Sequence, residues 1–553
     1  MVRIDSVEYE IGDAFDDSRS YSKYDRMAYD FLNIFHIKTQ EITARKLLLF
    51  NQGDYVDSEL LLESERFLRD QKFLSDASIS VRNEGDKHIA TVKTSDNWTL
   101  SIPASFAFSG SEFSYDNLTW GLGLQESNFL GLGKKLGFYY GHDEFRDTWS
   151  VGYGDPHFLF RFNQLDVVYS YNSDGYLASW QMLVPYLSRS KNQWAYTLAG
   201  LKNKRDVYFY GSGDLAPGAV PTISKNRPVD SLPLYNGDNG DKISPIMRVN
   251  GFIEDSLSFR FSRSFGGTKR KVYLAATYDY YNASTEDSEV LRYLFNYQGN
   301  SYAIDTNALN RWMPERKDSR LGGYIMYSNL RYEKIRNFHS VKWTEDIDKG
   351  WTLKVGASKN VENLGSDNND FRFDILSNMY LGQFMHHLTL NSRMHFYVDH
   401  SHIRDFYGWL QGEYLLHWNN SFSSVLNGLM DFYDNANYGY QLSLGGSDGF
   451  VGFPTGFYTG QARVYGKLEQ RWFPNVEFAT LMPVVVVFGS VGETAWNFKD
   501  ICRKDLIYVA GFGLRFAQTK SISRIINNLD VSFPINGERK REAHYSITTG
   551  FSL

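Results

Sequence analysis

ARVYGKLEQRW, running from Ala462 to Trp472, decides the fold. Val464, Gly466, Leu468 and Trp472 fall on one side of an extended chain, and Arg463, Lys467, Glu469 and Arg471 on the other. A period of two is the signature of a strand with two unlike faces. A soluble sandwich also alternates, with its apolar side packed inward. Here one face carries four charges, and the same alternation returns along about 450 residues from Leu100 onward. A closed barrel with lipid outside and water inside accounts for this better, because a strand in a bilayer cannot leave its backbone edge unpaired.

The pattern extends outward from that segment. In SIPASFAFSG, Ile102, Ala104, Phe106 and Phe108 share a face, while Ser101, Pro103, Ser105 and Ser109 share the other. GKKLGFYYGH places Leu136, Phe138 and Tyr140 together. NLDVSFPI aligns Leu529, Val531, Phe533 and Ile535, and HYSITTGFSL aligns Tyr545, Ile547, Phe551 and Leu553. Two classes of connection separate such runs. NFLGLG and GDPHF are short, whereas GDLAPGAVPTISKNRPVDSLPLYNGDNGDK and NYQGNSYAIDTNALNRWMPERK are long and polar. Segmentation on these signals gives about 20 strands, with hairpins at roughly 245–284 and 369–418 as the candidates for surplus.

Composition agrees. The 553 residues include 38 Tyr, 40 Phe and 12 Trp, enough to furnish the aromatic girdles of a membrane barrel; a secreted all-β protein is the plainer alternative. No run of about 18 apolar residues exists to form a membrane helix. A net charge of −6 gives no basic footprint for nucleic acid, and Cys502, alone, supports neither a disulfide framework nor a zinc knuckle. MVRIDSVEYE lacks an apolar segment, so an exported chain is expected to have lost its signal.

Residues 1–98 follow other rules. MVRIDSVEYEIG reads as a strand, and ITARKLLLFNQGD as a short helix ending near Gly53. Ser58 is placed to cap SELLLESERFLRDQKFL, with Leu60, Leu61, Phe67, Leu68 and Leu74 as its buried stripe. SDASISVRN and KHIATVKTS close a β-α-α-β-β unit.

LGGSDGFVGFPTGFYTG, Leu444 to Gly460, contains the window Gly445 to Gly449, which fits G-x-S-x-G. A nucleophile elbow needs a following helix, and FVGFPTGFYTG cannot form one, so hydrolysis at Ser447 is not expected. FLGLGKKLG lacks the spacing and hydroxyl of a phosphate loop. His395, Asp399, His400 and His402 cluster in HFYVDHSHIRD but lack a well-spaced third ligand, and read as a strand end entering a loop. No enzyme activity, cofactor or metal is expected.

These segments together resemble the BamA/TamA superfamily of outer-membrane insertase and translocase barrels. LLLFNQGDYVDSELLLESERFLRDQKFLSDASI resembles the POTRA domain that precedes such a barrel. GLGLQESNFLGLGKKLGF, GYGDPHF, LMPVVVVFGSVGETAW, VAGFGLRFAQ, NLDVSFPI and HYSITTGFSL resemble barrel segments in the family's order. The resemblance implies a POTRA domain at 1–98 in the periplasm and an antiparallel barrel at 99–553 in a bacterial outer membrane. It implies 16 strands, although larger even counts up to 20 fit the segmentation. Loop 6, around 434–460, is expected to fold back inside.

In that loop Gly445, Gly446, Ser447 and Asp448 match the family's lead-in, and Val451, Gly452, Phe453 and Pro454 its tip. The tip arginine of the family is Val451 here, and the wall aspartate falls near Ser490. Loss of one partner of a buried ion pair costs about 3–5 kcal/mol, whereas apolar replacement of both can be neutral. The loop is therefore expected to enter the lumen on Phe450, Phe453 and backbone contacts, with Glu469 and Arg471 as polar neighbours. The lateral seam is expected between Ile102, Pro103, Ser105 and Phe106 on the first strand and Tyr545, Ser546, Ile547, Gly550, Phe551 and Leu553 on the last. Proline lacks a ladder N–H and belongs at a weak edge or at an ordinary strand start. The implied partners are the lipid bilayer, unfolded outer-membrane or secreted polypeptides, and a periplasmic accessory protein at the POTRA domain. The alternative function is a dedicated secretion channel for one partner protein, or a lipoprotein exporter.

Overall fold

In a computed structural model, the polypeptide is described over residues 1–14, 36–110, 118–143, 145–210, 222–223, 245–290, 294–297, 300–304, 315–336, 344–399, 402–436, 440–445, 449–451, 453, 458–474, 476–477, 481–501, 506–518, 526–537 and 542–550. The N-terminal unit packs helix α1 (Glu41–Leu47) and helix α2 (Ser58–Arg69) on one sheet. In that sheet Lys87–Asp96 lies between Ser6–Gly12, parallel to it, and Leu74–Glu84, antiparallel. Its core gathers Ile4, Leu47, Phe50, Leu60, Leu68 and Val92. Three details differ from the sequence reading, the first being that α1 ends at Leu47, where Leu48 turns extended, rather than near Gly53. Asp57, not Ser58, caps α2, its carboxylate accepting the Leu60 N–H at 2.8 Å, because Ser58 is already the first helical residue. Leu74 lies in the following strand rather than on the helix.

From Leu100 the chain forms a closed antiparallel barrel. Twenty-two strand segments make twenty barrel strands among the described residues, because two strands are each interrupted once. The first is Leu100–Ser101 continued by Ala104–Gly110, and the ninth is Arg270–Ser284 continued by Asp287–Val290. The count of 16 implied by resemblance is therefore corrected to the larger one that the segmentation allowed. The strands Pro245–Gly266, Phe371–Gln383, His386–Asp399 and His402–Asn419 all belong to the barrel. The long polar segment beginning at Asn296 is not all loop: Leu294–Tyr297 and Asn300–Ile304 form a hairpin that pairs with Thr222–Ile223.

The barrel is inside-out relative to a soluble protein. Leu122, Leu124, Phe138, Val151, Ile325, Leu468, Val487 and Phe512 are exposed, while Arg320, Asp370, Glu469, Arg471 and Arg515 are buried. Ladder pairing fixes this sorting, since neighbours across an antiparallel pair share a face and one-residue alternation repeats it along every strand. No described helix is long and apolar enough to cross a membrane; here strands do the crossing.

The N-terminal unit sits against the turns at the end of the barrel where the first strand begins. Arg161, from the turn after Asp147–Asp155, donates to the carbonyls of Lys46 at 2.8 Å and Leu48, and to Asn51 Oδ1 at 2.7 Å. It thus serves the carbonyls left unpaired at the end of α1. Thr43 Oγ1 donates to the Gly131 carbonyl at 2.8 Å, and Asn128 Nδ2 to Thr39 Oγ1 at 2.9 Å.

Candidate functional site at the seam and the inward loop

Closure brings the first strand against the last, His544–Gly550. Among the described residues this ladder has three pairs: Tyr545 with Gly110, Ser546 with Ser109, and Ile547 with Phe108. The last strand has seven pairs with its other neighbour, Ile526–Pro534, and the tenth and eleventh strands share seventeen. Among the described residues, Thr548, Thr549 and Gly550 pair on the nineteenth-strand side alone.

The interruption at Ile102 and Pro103 lies beyond the paired stretch, towards the N-terminal unit. Ile102 is exposed outside, and the Pro103 carbonyl accepts the Gly123 N–H at 2.7 Å. A Cβ on Gly123 would lie 2.9 Å from Pro103 Cγ, so glycine gives the proline ring its place. Ser105 Oγ lies 3.2 Å from Tyr139 Oη. Of the remaining residues assigned to the seam, Phe106 pairs with Trp120 of the second strand. Phe551 and Leu553 lie outside the described residues.

The loop between Phe422–Asp434 and Ala462–Trp472 turns into the barrel. Its base is pinned by pairing of Leu442–Ser443 with Thr459–Gly460. The Leu444 N–H donates to Tyr458 O at 3.0 Å, Phe450 N–H to Leu444 O at 3.0 Å, and Phe453 N–H to Phe450 O at 3.2 Å. Leu444, Phe450 and Phe453 are wholly buried, packing with Val509, Tyr458 and Tyr465. Phe453 stacks on His544 of the last strand, with ring centroids 4.5 Å apart. Val451 packs by Val484, Val486 and Phe488, and its carbonyl accepts Ser532 Oγ at 2.5 Å. The tip therefore touches the strands that lead to the seam. Gly445 is placed at the loop base, its N–H donating to Ser443 Oγ at 3.2 Å. Gly446, Ser447, Asp448 and Gly452 lie outside the described residues.

Below the loop, Glu469 meets Lys467 Nζ at 2.6 Å and Arg471 Nη2 at 2.8 Å. Arg515 stands 3.8 Å from Glu469 and 2.5 Å from Asp530. Glu469 and Arg471 thus pair with each other and the wall. Hydrogen bonds from the wall to the described part of the loop include those of Ser532 and Arg463, two residues the sequence reading missed. Arg463 is held in a fork by Asp431, at 2.9 and 2.7 Å, and donates to the Ser443 carbonyl at 2.6 Å. Its charged partner on the neighbouring strand was visible in the sequence, but only the loop's return path brings Ser443 to it. Ser490 is buried on the Phe488 face.

The histidine cluster does not converge among the described residues. His395 lies beside Tyr407 on the inner wall, His402 is exposed, and His400 is not among the described residues.

No family model matches the chain, and no curated protein matches it. Among solved structures, it is similar to BamA from Haemophilus ducreyi lacking POTRA domains 1-3, at 13% identity over 99% of this chain and 84% of that one, with a TM-score of 0.38. CdiB from Acinetobacter baumannii aligns at 11% identity over 99% and 73%, with a TM-score of 0.43. CdiB from Escherichia coli gives 11%, 99% and 76%, with a TM-score of 0.44. The likeness runs nearly end to end. The barrel itself stands on the ladders described above.

Proposed function

We propose that the protein is a non-enzymatic outer-membrane insertase or polypeptide translocase, resembling the BamA/TamA superfamily. The observation that carries this reading is the closing ladder, which has three pairs among the described residues, next to a strand broken at Pro103. A barrel whose last closure is short exposes backbone donors and acceptors on two strand edges. An incoming strand satisfies them by β-augmentation and gains the pairing it lacked. The work comes from exchange of hydrogen bonds, and no nucleotide, cofactor or metal enters it.

Val451, Phe453 and Ser532 link the inward loop to the strands ending at this seam, so loop position and seam pairing are mechanically joined. The N-terminal unit acts as a periplasmic POTRA-like domain that receives client strands, or an accessory protein, along a sheet edge.

Site-specific photocrosslinking in growing cells tests this. A photoreactive residue replaces Ser105 or Ser546, with Lys467 as the lumenal control. Adducts with several nascent barrel proteins at Ser105 or Ser546 support the reading. One dominant adduct at Lys467 with a silent seam overturns strand exchange at the seam, and with it the insertase role, in favour of a channel dedicated to one exported partner.

A further inference from the structure

The opposite half of the lumen holds a second constellation. A cavity of about 850 Å³ opens between the inner faces of the seventh to thirteenth strands and Tyr440 of the inward loop. Seven arginine and lysine side chains line it against four carboxylates. Four of the lumenal arginines gather around Tyr397. The guanidinium carbons of Arg316, Arg320, Arg372 and Arg404 stand 4.6, 4.9, 5.6 and 6.0 Å from its ring centroid.

Three aspartates hold ion pairs with these four arginines, and Asp405 adds a fourth carboxylate near Arg316 and Arg404. Asp318 is 2.6 Å from Arg316 and 3.5 Å from Arg320. Asp370 is shared by Arg320, at 2.6 Å, and Arg404. Asp374 accepts from Arg372 at 2.9 Å. Guanidinium donors are left over. Among the described residues, Nε and Nη1 of Arg320, Nη2 of Arg316 and Nε of Arg372 are buried without a hydrogen-bond acceptor. The Arg320 side chain is only 4% exposed. Buried donors without acceptors cost about 1–3 kcal/mol each, more when charged, so such a cluster is completed by an acceptor from outside.

We infer that this cavity is a binding site for a small polyanion, a soluble molecule carrying two or more phosphate or carboxylate groups. Planar guanidinium forks match such oxyanions two bonds at a time, which ammonium groups cannot do. The cavity volume suits a small molecule. Tyr397 and Tyr440 give the ligand's uncharged part a ring surface. This inference stands apart from the proposed function, since the cavity lies on the wall away from the seam.

The test uses the purified full chain in detergent micelles, titrated calorimetrically with sodium pyrophosphate and with sodium citrate. Sodium chloride at matched ionic strength serves as the blank. We expect saturable binding of at least one probe, weakened about tenfold or more in both Arg316→Gln and Arg372→Gln. Lys269→Gln, an exposed cation outside the cavity, is expected to bind as wild type. Folding of each variant is checked by the mobility shift that folded barrels show on unboiled gels. If either glutamine variant fails to fold, Arg316→Lys replaces it, keeping the charge and losing the fork. Pyrophosphate binding alone identifies a phosphate site, and citrate binding alone a carboxylate site. Absence of binding to wild type by both probes overturns the inference, as does equal binding by wild type and folded cavity variants.

Discussion

The Glu63 carboxylate and the Ser188 hydroxyl meet 2.5 Å apart, joining helix α2 of the N-terminal unit to a barrel turn 125 residues later. The same carboxylate accepts Ser190 Oγ at 2.9 Å and the backbone N–H groups of Arg189 and Ser190 at 2.6 and 2.9 Å. Nearby, the Arg66 and Arg189 guanidiniums stand 3.7 and 4.1 Å from the Tyr332 ring centroid. Burial between these groups pushes Arg66 below its usual range.

Glu63 is therefore the latch of the docked unit. Hydrogen bonds to an ionised acceptor are worth about 1.5–3 kcal/mol each, so losing four is a large local change even when water replaces part of them. Glu63→Ala is expected to raise amide exchange at residues 187–191 at least tenfold, with the barrel strands unchanged. Hydrogen exchange read by mass spectrometry checks this, and equal protection in the two proteins refutes the latch.

Acid is expected to loosen a second part of the same dock. His157 Nδ1 accepts the N–H of Phe162, which holds a left-handed φ of 67° while its ring meets Phe67 edge-on at 5.6 Å. Burial, and secondarily the Lys46 charge, lowers His157 from 6.5 to about 4, against the opposing pull of Asp155. Between those pH values the unfolded state binds more protons than the folded one, so stability rises with pH across the window. The contribution is complete above pH 6.5 and is lost as pH falls towards 4. Protection of residues 158–163 should fall through that window, and His157→Gln should flatten the dependence. An unchanged slope in the variant assigns the effect elsewhere.

Much of the barrel was legible because two faces in unlike solvents force a period of two, and ARVYGKLEQRW displays it without help from its neighbours. The strand number was readable for the same reason; resemblance pulled it towards 16, whereas the hairpins near 245–284 and 369–418 are full members of the barrel. What stayed hidden depends on partners far along the chain. Glu63 reads as an exposed helix charge until Ser188 arrives, and Arg161 as a polar turn residue until α1 ends beside it. Pro103 marked the interruption in the first strand, but the pairing of that strand with the last was not readable, since ladder length depends on how the two ends of the sheet meet.

Val451 offers a way to build the loop-to-wall ion pair that the family resemblance implies at this position. Val451→Arg would put a guanidinium among Val484, Val486 and Phe488, where an unpaired buried charge costs about 3–5 kcal/mol. Ser490→Asp, one step further along the same inner face, supplies a counter-charge. The single Val451→Arg variant is expected to expose the loop to protease added from the far end, and the double variant to recover most of the protection. A double-mutant cycle on cleavage rates measures the coupling. Additive effects of the two substitutions would show that the tip and Ser490 do not meet.

Gly492 decides whether the loop has room at all. A Cβ there would lie 2.9 Å from Val464 O, 3.0 Å from Leu444 Cδ1 and 3.2 Å from Phe450 Cζ, so the glycine leaves space that the loop occupies. Gly492→Val keeps the strand propensity of the seventeenth strand and removes that space. The ladder must give locally at the Val464 carbonyl of the sixteenth strand, while the remaining backbone pairs with both neighbours keep the barrel closed and Leu444 and Phe450 lose their seat. Larger and more frequent openings in planar bilayers, with an unchanged gel shift, are the expected result. Wild-type conductance in a folded Gly492→Val barrel would mean that the loop does not limit passage through the lumen.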